Sequence, residues 1–158
     1  MEPSFIVDIN AGKLAKYLRM MGYDTLLFRG QDDGIMVKVA LQDNRIILTK
    51  DGEILKRKLI TSGKIRAIHL ISDEPEEQML QVMRELHFND ECNAFSRCLE
   101  CNSLLDPMTV EAVRELVPLH VYETQTQYMR CPDCHRIYWR GTHWQAMCRQ
   151  LQALFKRN

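Results

Sequence analysis

The chain has no surplus of either charge, no apolar run of membrane-spanning length and no glycine-rich phosphate loop. Its 21 basic and 21 acidic side chains leave a formal net charge of zero, which argues against coating nucleic acid by charge alone. No apolar run approaches the roughly 20 residues that cross a bilayer, so no membrane partner is expected. The opening stretch MEPSFIVDINAGK lacks a basic segment leading into an apolar one; secretion is not expected, and a cytoplasmic setting is. Neither familiar glycine-rich phosphate motif occurs, which weighs against a nucleotide cofactor. No cysteine stands in a His and Asn context suited to nucleophilic catalysis. Low-complexity segments and Gly/Ser linkers are missing too.

What is present begins with cysteine. Of six cysteines, four form two C-x2-C pairs, Cys98/Cys101 and Cys131/Cys134, each preceded by an arginine. Two intervening residues let one tight turn aim both sulfurs at one ion, and two such knuckles complete the tetrahedron that zinc prefers. The stretch between them, Asn102 through Arg130, has room for a hairpin or a small insertion. A pair of disulfides is the alternative, but in a reducing cytosol such cysteines stay thiolates and bind metal. A structural zinc ribbon is therefore expected. Cys92 and Cys148 have no close partner and read as small buried apolar residues. With four sulfurs filling the tetrahedron, neither His135 nor His143 is needed as a ligand.

The 158 residues, 46% of them hydrophobic, suit one domain, or a domain of about 90 residues with a small metal-stapled module packed on it. Up to about residue 90 the pattern alternates. Ser4 to Val7 reads as a buried strand ending at Asp8, and Leu14, Tyr17, Leu18 and Met21 fall at helical spacing before Gly22 as C-cap. Thr25 to Phe28 reads as a strand. A helix is expected from about Asp32 to Gln42, with Ile35, Val39 and Leu41 as its apolar residues. The third strand is RIILT, with a short helix through about Lys58. Ile65 to Ile71 reads as the fourth strand and Glu74 to Leu86 as an amphipathic helix. Such alternation predicts an α/β fold, a parallel sheet covered on both faces. Beyond Cys92 the expected pieces are the knuckles, a small helix near Val110 to Leu116, a ribbon strand at Arg136 to Arg140 and a closing helix from Thr142 to Phe155.

Ligands of open α/β sheets gather at the carboxyl ends of the strands. Asp8 ends the first strand, Asp32 and Asp33 follow the second, and Asp51 follows the third. Carboxylates from three segments would meet at one edge, the oxygen donors that Mg²⁺ or Mn²⁺ takes, and such ions activate water against a phosphodiester. Asp32, Asp33 and Asp51 equally read as helix N-caps; Asp8, at the end of a buried strand, needs a partner. The acids cluster in the first half, whereas from Arg130 onward six basic residues face the single acid Asp133.

Lys13, Lys16 and Arg19 recur along the first helix, on a face expected to lie away from Leu14 and Leu18. They read either as a phosphate-backbone contact, Lys13 foremost, or as a solvated face. Tyr138, Trp139, His143 and Trp144, with Arg136 and Arg140, form an aromatic and basic cluster suited to stacking unpaired bases. Packing of a small ribbon's core is the commoner fate of such tryptophans.

The strings FIVDINAGKLAKYLRMMGYDT, RIILTKD, RCLECNSLL and CPDCHRIYWRGTHW resemble the Mut-seven C-terminal ribonuclease domain, in matching order over nearly the whole chain. The resemblance implies a PIN-like nuclease domain, residues 1–90, and a C-terminal zinc ribbon with a closing helix, residues 91–158. It implies a divalent-metal-dependent ribonuclease acting on RNA, single-stranded by expectation. Asp8 and Asp51 match the acids ending the first strand and the family's L-T-x-D string. Asp32 fits the acid after the second strand better than Asp33, and Asp73 is the best match for a fourth acid. Two other readings stay open: a PIN-like module without turnover that docks RNA or ribosome through its ribbon, and a toxin-type PIN ribonuclease. The built-in ribbon weighs against the second.

Overall fold

The computed structural model describes residues 2–87 and 95–157. Four strands, β1 (Phe5–Asp8), β2 (Thr25–Phe28), β3 (Ile46–Thr49) and β4 (Ala67–His69), form a parallel sheet in the order β2-β1-β3-β4. The connections are helices: α1 (Gly12–Met20), α2 (Asp33–Gln42), the short turns α3 (Gly52–Leu55) and α4 (Lys58–Thr61), and α5 (Pro75–Leu86) after β4. Alternation within each strand feeds two cores. Phe5, Val7 and Leu48 join α1 and α5 on one face, while Ile6 and Ile47 join Met36, Val37 and Ala40 of α2 and Ile54 of α3 on the other. A parallel sheet needs both faces covered, which is why the strands are apolar except at their ends.

The second half carries β5 (Asp106–Met108), α6 (Val110–Val113), α7 (Leu119–Thr124), β6 (Tyr128–Arg130), β7 (Ile137–Trp139) and the closing helix α8 (Thr142–Arg157). The three strands make an antiparallel sheet, β5-β6-β7. Helix α8 belongs to the first core rather than to a ribbon core: Trp144, Leu151 and Leu154 bury against the α1 and α5 face. The expected boundary between residues 90 and 91, and Cys92, lie outside the described residues.

Several local expectations shift. In α2 the buried stripe is Met36, Val37 and Ala40, while Ile35 and Leu41 are 51% and 47% exposed. The stretch after Asp51 breaks into α3 and α4, because Lys56 caps the first and Arg57 turns extended before the second. Strand β4 pairs with β3 only from Ala67 to His69. Helix α6 ends at Val113, and α7 follows after Pro118.

Candidate nucleic-acid cleavage site and zinc knuckles

Helices α1 and α3 leave neighbouring strands β1 and β3 toward opposite faces of the sheet, so the crevice at the carboxyl ends of β1 and β3 is the switch point where α/β folds place ligands. Asp8 and Asp51 stand at its two sides. Thr49, fully buried, links them. Its hydroxyl donates to Asp8 Oδ2 (3.2 Å) and accepts the backbone N–H of Asp51 (3.0 Å). Asp8 Oδ1 accepts from Asn10 N–H at 3.3 Å. Asp51 caps α3 through Oδ1 and Glu53 N–H (2.9 Å), and Asp32 caps α2 through Oδ1 and Gly34 N–H (2.8 Å). The capping interpretation therefore holds for Asp32 and Asp51, which follow β2 and β3 in the chain; Asp33 sits in the first turn of α2. Among the described residues, each cap engages Oδ1 alone.

Asp73 follows β4, is 81% exposed and pairs with Lys50, the residue between Thr49 and Asp51. His69, unmarked by any sequence motif, ends β4 opposite Thr49 in register, with Nε2 3.1 Å from the Lys50 carbonyl. Among the described residues, no three carboxylates bring their oxygens within 4.8 Å of one another. The carboxylates at this edge offer hard oxygens, the chemistry Mg²⁺ and Mn²⁺ accept through one or two carboxylates with waters completing the shell.

A wide groove of about 1060 Å³ opens beside this edge, reaching from Asn10 and Lys13 past Asp73 to Glu100 and the start of α8. Lys13 lines it. Lys16 is spent on an ion pair with Glu100 at 2.6 Å, which holds the Glu100 carboxyl below its usual pKa. Arg19 departs from the expected exposed face altogether. It is 5% exposed; Nε donates to the Thr25 carbonyl (2.9 Å), and Nη1 donates to the carbonyls of Leu99 (2.8 Å) and Glu100 (3.1 Å). Burial lowers its pKa. It is a clamp between α1, β2 and the first knuckle.

The four cysteines converge: their sulfurs lie within 4.8 Å of one another, with Cys98–Cys134 at 3.5 Å and Cys101–Cys131 at 3.2 Å. A disulfide needs about 2.05 Å, whereas tetrahedral zinc with ~2.3 Å bonds separates sulfurs by ~3.8 Å. The set fits zinc. Both knuckles are built alike. The first cysteine's N–H donates to the carbonyl five residues on (Ser103, Arg136), and its own carbonyl accepts the N–H four residues on (Asn102, His135). Asn102 and His135 accordingly take φ of 72° and 64°. Tyr138 donates its hydroxyl to Cys98 Sγ at 3.0 Å, and burial foremost keeps its pKa high. The Cys134 sulfur foremost raises the Arg136 pKa, and Arg140 lies 5.3 Å over the Phe95 ring.

The lock that sequence reasoning missed is Asn102. Its Oδ1 accepts the buried Thr25 N–H (2.8 Å), its Nδ2 donates to Asp24 Oδ1 (2.7 Å), and Arg97 donates to its carbonyl (2.9 Å). Arg45 completes the cluster with two bonds to Asp24. The only available signal was an Asn after a C-x2-C pair, which marks a left-handed turn but not its partner.

No helix of the described chain is long and apolar enough to cross a membrane. No curated protein and no solved structure matches the chain significantly. The Mut7-C RNAse domain model matches residues 3–151, and with an α/β sheet followed by a four-cysteine knuckle pair in that span, the chain belongs to the Mut7-C RNAse domain family.

Proposed function

We propose that the protein is a divalent-metal-dependent ribonuclease that hydrolyses single-stranded RNA in a reducing, cytoplasmic setting, with its four cysteines holding a structural zinc. The observation that carries the catalytic part is the carboxyl edge itself: Asp8 and Asp51 tied through the Thr49 hydroxyl at the switch point, with Asp32 capping α2 after β2. A Mg²⁺ or Mn²⁺ ion held by Asp8 and Asp51, with Asp32 assisting, would supply Lewis acidity toward water and a phosphodiester oxygen. The chain's own groups do the positioning. Thr49 orients the Asp8 carboxylate and fixes the Asp51 backbone, so that neither acid must reorganise when substrate arrives. Lys13 offers a cation to a phosphate in the groove. Asp73, engaged by Lys50, is the fourth acid of the set and tethers the turn that carries Asp51.

Cleavage of end-labelled single-stranded RNA by purified protein tests this, with Mn²⁺ or Mg²⁺ restored after mild chelation. Asp51→Asn protein, shown to retain zinc, is run beside it. Cleavage by wild type alone supports the reading. Equal cleavage by both proteins overturns the assigned site. RNA binding without cleavage by either transfers the protein to the class of non-hydrolytic binding modules.

A further inference from the structure

A second concavity, about 440 Å³, lies in the C-terminal half between α7, β7 and the start of α8. That size falls within the roughly 300–1,000 Å³ of small-ligand clefts. The imidazoles of His120 and His143 line it with three larger rings; Tyr138 and Trp144 are committed elsewhere, and Trp139 packs in part against the Val113, Val121 and Tyr128 core. Tyr138 is bonded to Cys98 Sγ and the Leu99 N–H, and Trp144 packs edge-on against Phe95 at 4.8 Å between centroids. Trp139 is half-buried and lies close over Gly141, where an added Cβ would stand 2.8 Å from the indole Nε1. Glycine is needed there for room, since any larger residue would push the indole off its seat.

The rest of the lining separates a nucleobase from an apolar peptide as occupant. Gln125, Thr124 and Thr142 line it too, Thr124 with its hydroxyl donated to the His120 carbonyl at 2.6 Å, and no carboxylate lines the pocket; polar residues beside rings suit a base edge. The wide groove differs, with Asp73, Glu74, Glu76 and Glu100 set against Lys13 and Lys16. With no Lys, Arg, Asp or Glu in its lining, the smaller pocket suits an uncharged ring rather than a phosphate. Both concavities share Leu99, His143 and Met147, so one strand can lie across both and reach the residues that follow β1.

We propose that this pocket takes one unpaired nucleobase of the RNA substrate, stacked on Trp139 with Gln125 at its edge. The proposal rests on the ribonuclease reading for the identity of the polymer. Fluorescein-labelled RNA octamers, with an abasic octamer as control, are titrated into full-length zinc-loaded Asp51→Asn protein, in which cleavage does not intervene. Anisotropy and tryptophan emission are followed together.

RNA is expected to quench emission, and the abasic octamer is expected to bind weakly without quenching. Trp139→Ala should weaken binding about tenfold or more, the usual weight of one stacked base, and Trp139→Phe should retain most of the affinity. Gln125→Ala, at a partly exposed position, should cost several-fold with the fold unchanged, and it decides the matter if Trp139→Ala loses its zinc. Unaltered affinity in Gln125→Ala and in zinc-loaded Trp139→Ala overturns the pocket, as does tight abasic binding or selective capture of apolar peptides. If those variants bind normally while wild type cleaves, the pocket fails and the nuclease stands. If Trp139-dependent binding occurs while wild type cleaves nothing, the nuclease fails and the pocket stands.

Discussion

Asn102 shows how much one side chain can hold. Replacing it by alanine leaves the Thr25 N–H buried without an acceptor, a cost of about 1–3 kcal/mol, and forces a Cβ-bearing residue with no local polar group into a left-handed turn, at about 1–2 kcal/mol. Asn102→Gly keeps the turn and should lose only the first part. Urea unfolding of both variants measures the difference. Asp24, bonded to the same amide, carries a pH signature. Burial by itself would raise its carboxyl pKa, but hydrogen bonds from Arg45 and Asn102 outweigh that and hold it low. A depressed folded-state value means stability fully present above the unfolded pKa near ~3.9 and lost as pH falls through the folded one. The stability gap between wild type and Asp24→Asn should therefore be flat from neutrality to about pH 5 and narrow below it. Unfolding series on the two proteins, which share one metal site, would isolate that narrowing. Thr49→Val should leave the fold intact and cut turnover about tenfold or more, through loss of the orienting hydroxyl; kcat, rather than KM, is the readout. The edge acids were legible in the sequence because each sits at a strand end or cap, both local features. Thr49's link to Asp8 was not, since it joins residues from two different strands.

Among the elements, α1 and α2 fail in opposite ways as sequence patterns. Helix α1 has the expected buried stripe, yet Arg19 is buried too, because its guanidinium finds three carbonyls at once. Periodicity sees an exposed charge; the Thr25 carbonyl and the arrival of Leu99 and Glu100 give it partners. In α2 the apolar residues outnumber the positions that face the sheet, so the choice among Ile35, Met36, Val37, Val39 and Leu41 is made by packing against Ile6 and Ile47 rather than by pattern. Arg19→Ala should loosen the first knuckle from β2 and α1 while leaving the parallel sheet intact. Limited proteolysis would then cut near residues 97–104 at least several-fold faster, with the α/β circular dichroism signal unchanged. Wild-type cutting rates would refute the clamp.

At the scale of the molecule, the cysteine spacing announced the knuckles and the strand–helix rhythm announced the sheet, since each is a repeat with a fixed period. What spacing could not convey is that α8 returns to the first core, or that the first knuckle is bonded into the sheet. Removing zinc should therefore lower the thermal midpoint of the whole chain rather than melt a separate ribbon, and restore it on zinc addition. A single cooperative transition with and without chelator, shifted by several degrees, is the expected calorimetric trace. Two separate transitions would contradict it.

Strand β2 lies at the border of the parallel sheet, and an open border invites edge-to-edge pairing between chains. At its first residue both outward groups are covered: the Thr25 N–H by Asn102 and the Thr25 carbonyl by Arg19. The knuckle thus acts as a guard against self-association. Metal-stripped protein should therefore grow turbid as it passes its lowered thermal midpoint, where guard and sheet open together, so that zinc starvation would be felt as lost solubility and lost chemistry at once.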